Sequence, residues 1–371
     1  MKVAVLFGTR PEAVKLAPVI KALRKDGFET VVITTAQHRD LLDPFIELFS
    51  IETDYDLDLF KAGQTLCDIT SGALYGLCDI FNKEKPDVCL VQGDTTTVFA
   101  GALAAFYTGV KVGHIEAGLR SHNIYSPYPE EANRKMTGVI SEYHFAPTEE
   151  AADNLLKENY SEDKIFVVGN TVIDALKEAS SLDYAFEAPL SGVDFNRERV
   201  ILLTAHRREN QGEPMERIFK AIRDILDKYE DTRLVFPMHL TPKVREAAKK
   251  YFKDQPRAIL TEPLGYLSMV NLMKHMYFAI TDSGGIQEEA PFFGKPVLVI
   301  REETERPEGI FAGTAKLVGT SYEGVFSSMD ELLKEPDGAY KKMSAAISPY
   351  GDGKASERIC KILKNSEELR I

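Results

Sequence analysis

Residues 2–23, KVAVLFGTRPEAVKLAPVIKAL, contain a strand, a turn and a helix in one passage. Val3 to Phe7 is an apolar run of strand length, and Leu16, Val19, Ile20 and Leu23 recur at the 3.6-residue spacing of a helix with one apolar face. The alternation continues along the chain. Strands are predicted at TVVITT, DVCLV, KVGHI, YHFAP and KIFVV, each followed by a helical pattern, which makes a βαβ series and hence a parallel sheet.

The period breaks at SLDYAFEAPLSGVDFNRER, which contains Pro189 and Gly192. A second series then begins at VILLTAH and runs through RLVFPMH, AILTEP, YFAITDSG and PVLVIR. A chain of 371 residues with 44% hydrophobic content is long enough for about two domains. The expected organisation is a Rossmann-like domain over 1–180, a linker over 181–198, a second Rossmann-like domain over 199–350, and a helix over 351–371 packing back on the first. Polar residues fall at strand ends in both halves, so the ligand is expected in a cleft between them.

The formal net charge of −12 supplies no basic face for nucleic acid or an anionic membrane. Cys67, Cys78, Cys89 and Cys360 form no C-x-x-C pair, so they read as small core residues rather than as a zinc set or a disulfide framework. Met1 leads straight into a strand, without the basic and apolar regions of a signal peptide. No apolar run approaches the roughly 18 residues of a membrane span, so a cytoplasmic location is expected.

Three acidic stretches stand out: QGDTTT with Asp94, HIEAGLR with Glu116, and YPEEANR with Glu130 and Glu131. The first two carboxylates follow predicted strands, where open α/β sheets bind their ligands, and carboxylates so placed suit proton transfer. The turn GTRPEAVK has Arg10 where a dinucleotide fingerprint needs its second glycine. With Lys15 it offers two cations for a diphosphate, or else two solvated charges.

SGGIQEE, residues 283–289, opens a helix with a serine and two glycines, a place for phosphate, and Glu289 could accept from ribose hydroxyls. The bland reading is a glycine turn packed under a loop. His206 of AHRREN could meet a leaving phosphate near neutral pH or be structural, and TERPEG adds Arg306. Arg134 lies four residues after Glu130, so on a helix the two could pair, with a surface salt bridge as the bland reading. The histidines make no metal set.

Taken in order, GTRPEAVK, TAQHRD, QGDTTT, GHIEAGLR, YPEEANR, TAHRREN, TDSGGIQEEAP and TERPEG resemble the non-hydrolysing UDP-N-acetylglucosamine 2-epimerases, and the match spans nearly the whole chain. The resemblance implies a GT-B architecture, two Rossmann-like doubly wound parallel-sheet domains facing across a deep cleft. It implies reversible conversion of UDP-GlcNAc to UDP-ManNAc without metal or nicotinamide, supplying ManNAc for surface polysaccharide. The implied route expels UDP as the C2 proton leaves, giving a 2-acetamidoglucal to which UDP adds back.

Resemblance maps Asp94, Glu116 and Glu130 onto the family's catalytic carboxylates and His206 onto a histidine that meets the diphosphate. Arg10, Lys15, Ser283, Gly284, Gly285, Glu289 and Arg306 match substrate-binding positions, and Leu264 and Met269 lie where the base is contacted. Arg134 is added as a substrate-side cation. Bacterial members resemble one another in a second nucleotide-sugar site, at which UDP-GlcNAc is an activator. Gln37, Gln64, Arg207 and His239 match it, while Asp40, Gly63 and Thr241 depart from the usual residues there. A homodimer is implied as well. The rival readings are an epimerase of a modified UDP-sugar and a GT-B glycosyltransferase.

Overall fold

A computed structural model describes residues 1–36, 39–61 and 63–368. The chain forms two compact units: Met1–Lys177 with the chain from Tyr350 onward, and Glu178–Pro349.

In the first unit the strands are β1 (Lys2–Phe7), β2 (Glu29–Thr34), β3 (Tyr55–Asp56), β4 (Val88–Gln92), β5 (Lys111–Ile115), β6 (Tyr143–Ala146) and β7 (Ile165–Val167). They pair in parallel in the order β3-β2-β1-β4-β5-β6-β7. Val3 to Phe7 are fully buried because helices cover both faces of such a sheet. The helix Arg10–Lys25 turns Leu16, Val19, Ile20 and Leu23 inward, and Leu6, Ile33, Leu77, Phe81 and Val91 meet in one core cluster.

The second unit repeats the plan with β8 (Arg199–Thr204), β9 (Thr232–Pro237), β10 (Ala258–Thr261), β11 (Phe278–Thr281), β12 (Val297–Val299) and β13 (Ala315–Leu317). Their order is β10-β9-β8-β11-β12-β13, again all parallel. Ile218, Ile222, Ile225 and Leu226 of the helix Glu213–Lys228 join the core cluster beneath this sheet.

β3 and β13 have only two and three residues, too short to show a period in sequence. The stretch 181–198 packs within the second unit: Leu190 is buried, and the Phe186 ring stacks on Phe195, which lies against His275. The helix Ala355–Glu368 buries Ile359, Cys360 and Leu363 in the first unit. Its first amides, from Ala355 and Ser356, donate to the Asp174 carboxylate at 3.1 and 2.8 Å. Cys67 departs from the expected core role. It is exposed on the first turn of the helix Leu66–Glu84, while Cys89 and Cys360 are buried. Among the described residues, no helix is long and apolar enough to cross a membrane.

Gly118, in the turn after β5, has φ +88°, and a Cβ there would sit 2.0 Å from the Ala151 carbonyl oxygen. Gly118→Ala therefore combines left-handed strain of roughly 1–2 kcal/mol with overpacking of about 1–3 kcal/mol. Denaturant titration should show a loss of at least ~2 kcal/mol; an unchanged midpoint would contradict the close approach.

Candidate functional site

Strand order reverses between β1 and β4 in the first unit, and the loops leaving their carboxyl ends bound the crevice that doubly wound sheets use for ligands. Asp94 stands just beyond β4. Its Oδ2 accepts from Arg134 Nε at 2.8 Å and lies 2.6 Å from Nη2, and its carbonyl accepts from Asn133 Nδ2 at 2.9 Å. Burial raises the Asp94 carboxyl above its ordinary value, and the nearby Glu116 charge adds to this; Arg134 and Lys15 oppose it.

Glu116 follows β5 with φ 67°, an uncommon left-handed conformation for a residue with a side chain. Lys15 Nζ lies 2.7 Å from each of its carboxylate oxygens, and Gln92 Nε2 donates to Oε2. Two carboxylates that feel each other are thus each held by a cation. Glu130 opens the helix Glu130–Ile140, and its Oε2 is buried without a hydrogen-bond partner among the described residues.

The pairing of Glu130 with Arg134 that a spacing of four allows is not what the structure shows. Arg134 Nη1 donates to Glu131 Oε2 at 2.9 Å, three residues away, while its other nitrogens hold Asp94. Glu131 is fully buried and also accepts from the amides of Ser121 and His122, so the helix turns Glu131 toward Arg134. Arg10 is exposed, its guanidinium 5.6 Å from the centre of the Phe45 ring. Gln64 Oε1 accepts from the Lys61 amide at 2.9 Å. Gln37 lies outside the described residues.

Sequence reading passed over Glu12. This buried carboxylate accepts from the Gly8 amide at 2.7 Å and from the Thr9 hydroxyl at 2.9 Å, pinning the turn after β1. Burial lifts its pKa from 4.5 to about 6, against the lowering pull of Gly8, Thr95 and Thr9. A carboxyl raised on folding stabilises the protein fully below 4.5, and that contribution is lost as pH rises through about 6. The shift corresponds to about 2 kcal/mol. Unfolding free energies of wild type and Glu12→Gln should diverge by that order between pH 4.5 and 7, wild type falling with pH; parallel curves would refute the assignment.

In the second unit the order reverses between β8 and β11. His206 follows β8, and its Nδ1 lies 2.8 Å from Oδ1 of Asp282, which follows β11 and is fully buried. Oδ2 of Asp282 accepts from the amides of His206 and Arg207, both at 2.8 Å, and from Asn210 Nδ2 at 3.0 Å. Burial alone would raise this carboxyl, but His206 and the two amides outweigh it and hold it below the usual range. The Asp282 carboxylate thus lies against Nδ1 of His206, and Nε2 remains for a ligand.

Ser283, Gly284, Gly285, Glu289 and Arg306 come together around the start of the helix Gly284–Glu289. A Cβ on Gly284 would lie 3.9 Å from Arg306 Nη2, and one on Gly285 would lie 3.4 Å from Glu289 Oε1. Arg306 Nε donates to Glu288 Oε1. Leu264 and Met269, both half-buried, flank the first turn of the helix Tyr266–His275. Burial raises the Tyr266 phenol, and the charges of Glu289 and Glu178 add to this. The His239 ring lies 5.7 Å from that of His206 and its Nδ1 is 2.8 Å from Thr241 Oγ1, while Arg207 Nη2 lies 3.6 Å from Glu305. Asn210, also unmarked in sequence, ties Asp282 to the Ile300 carbonyl.

Two doubly wound parallel-sheet domains of this kind make the GT-B architecture. The family model for UDP-N-acetylglucosamine 2-epimerase matches residues 21–364. The chain is similar to the UDP-N-acetylglucosamine 2-epimerase of Bacillus subtilis (strain 168), 55% identical over 360 residues, covering 97% of this chain and 94% of the relative. It is similar also to that of Escherichia coli (strain K12), 49% identical over 99% of both chains. A solved structure of the UDP-GlcNAc 2-epimerase from Neisseria meningitidis, bound to UDP-GlcNAc, superposes with a TM-score of 0.89 at 45% identity, over 98% of this chain and all of that one. The chain belongs to the UDP-N-acetylglucosamine 2-epimerase family, and it is an epimerase enzyme.

Proposed function

We propose that this enzyme interconverts UDP-GlcNAc and UDP-ManNAc by eliminating UDP and adding it back, providing ManNAc for cell-surface polysaccharide. The observation that carries the reading is the pair Asp94 and Glu116, desolvated acids at a switch point, each with its own cation. C2 of the sugar is not next to a carbonyl, so a base cannot remove its proton to form an enolate. Elimination supplies the alternative. A carboxylate takes the C2 proton, that C–H pair becomes the C1=C2 bond, and the C1–O pair departs with the diphosphate. In the return direction the diphosphate oxygen attacks C1 while an acid delivers a proton to the opposite face of C2.

Asp94, Glu116 and Glu130 form the acid–base set in this scheme. His206, with Nδ1 against the Asp282 carboxylate, presents Nε2 to the diphosphate and stabilises its departing charge. Arg10, Lys15, Ser283, Gly284, Gly285, Glu289 and Arg306 bind the nucleotide diphosphate, Leu264 and Met269 its base, and Arg134 acts through Asp94. Activation by a second UDP-GlcNAc, through Gln37, Gln64, Arg207 and His239, and assembly as a homodimer belong to the same proposal, supported by family resemblance.

The test is incubation with UDP-GlcNAc alone in deuterated water, followed by NMR of the sugar. The expected result is UDP-ManNAc formation with deuterium at C2 in both sugars. Epimerisation that retains the original hydrogen would overturn the elimination route. Untouched UDP-GlcNAc with turnover of a modified UDP-sugar would reassign the substrate.

A further inference from the structure

His114 lies in β5, and its Nε2 is 2.7 Å from the carbonyl oxygen of Gly93, the residue that turns the chain out of β4 with φ +85° immediately before Asp94. We propose that His114, as a neutral imidazole carrying its proton on Nε2, is a positioning residue that fixes the Gly93–Asp94 turn and so aims the Asp94 carboxylate. The inference rests on Asp94 acting in the proton transfer proposed above, and it concerns a side chain that belongs to neither the acid–base set nor the binding set.

Three observations support it. A carbonyl only accepts, so the 2.7 Å contact requires the hydrogen on Nε2, which leaves Nδ1 unprotonated; that atom is buried without a hydrogen-bond partner among the described residues. Moreover, the surroundings of the ring disfavour a charge on it. It is 1% exposed and faces Arg120, Arg134 and Glu116, and β5 pairs with β6 so that His144, also buried, stands at its register partner. Burial, with Arg120 and Arg134, holds the His114 pKa down at about 4, although the Gly93 bond and Glu116 pull the other way. His144 is likewise held at about 4 by burial and by the neighbouring His114, Arg120 and Lys164, so neither ring titrates near neutral pH.

Finally, the Gly93–Asp94 turn has a grip on each side. His114 holds the carbonyl of Gly93, and Asn133 Nδ2 holds that of Asp94 at 2.9 Å. A buried imidazole is a costly way to fill core volume that leucine could fill. What the ring adds is a hydrogen-bond donor that stays uncharged across the working pH range.

The experiment compares His114→Leu, which keeps bulk and removes the donor, with His114→Gln, whose side-chain amide carries a donor at similar reach. In folded H114L the expected kcat falls about 10–100-fold with KM nearly unchanged, because a misaimed general base costs the chemical step rather than binding. H114Q should recover most of the rate. In parallel, imidazole ¹⁵N NMR of the unmodified enzyme should show a protonated Nε2 and a bare Nδ1 on His114, constant from pH 5.5 to 8. Titration of that ring in this window, the opposite tautomer, a folded H114L with wild-type kcat, or an H114Q as impaired as H114L would each overturn the assignment. A wild-type enzyme that leaves UDP-GlcNAc untouched would sink the proposed activity instead, and the NMR result would stand apart from it.

Discussion

Asp94→Asn is expected to lower kcat by roughly 10²–10⁴, the contribution of a positioned acid or base, with little change in KM. The isosteric amide keeps the shape of the side chain and accepts from Arg134 through one oxygen, so a rate loss would report lost proton transfer rather than a collapsed turn. The pH profile sharpens the test. Burial raises the Asp94 carboxyl, so the limb of kcat/KM on which it ionises should lie above the ordinary value of 3.8. Arg134 opposes that rise, and Arg134→Gln should therefore move the limb further upward. Glu116→Gln and Glu130→Gln should lower turnover within the same range. Near-wild-type rates for all three carboxylate variants would place the chemistry elsewhere.

Asp282→Ala should damage both stability and rate. The fully buried carboxylate is the acceptor for two backbone amides and the Asn210 side chain and the partner of His206, so removing it strands donors in the core. Leaving a buried donor without its acceptor costs about 1–3 kcal/mol. Where enough folded protein remains, kcat should fall roughly 10²–10³-fold, because a freed His206 no longer keeps Nε2 toward the diphosphate. The separating measurement is a double-mutant cycle with His206→Ala: if Asp282 works through His206, the double variant turns over no more slowly than His206→Ala alone. Additive rate losses would contradict that dependence. Denaturant midpoints track the stability part independently.

Much of this was legible in the chain. Long buried strands such as Val3–Phe7 declare themselves by unbroken apolar runs, and the one-sided spacing of Leu16, Val19, Ile20 and Leu23 declares a helix, because burial on one side is a local property of sequence. The carboxylates Asp94 and Glu116 were visible for a similar reason: they follow strands, and strand ends are where such sheets keep their chemistry. The supporting residues were not legible. Glu12 reads as an ordinary acid in a helical first turn, and only the fold buries it under Gly8. Arg134 reads as a partner for Glu130 at a spacing of four, whereas a contact across 40 residues to Asp94 and a spacing of three to Glu131 prevail. His114 looks like any strand histidine until β4 is laid beside it. Long-range partners of this type leave no periodic trace.

The first unit is split in sequence, its closing helix arriving only after all of Glu178–Pro349 has been made. During synthesis the amino-terminal sheet must therefore wait, with the surface that Ile359 and Leu363 will cover still open and Asp174 lacking the two amides it will cap. The middle of the chain can complete its own sheet first. Truncation ahead of Ala355 would thus injure the unit whose sheet is built from residues 2–167.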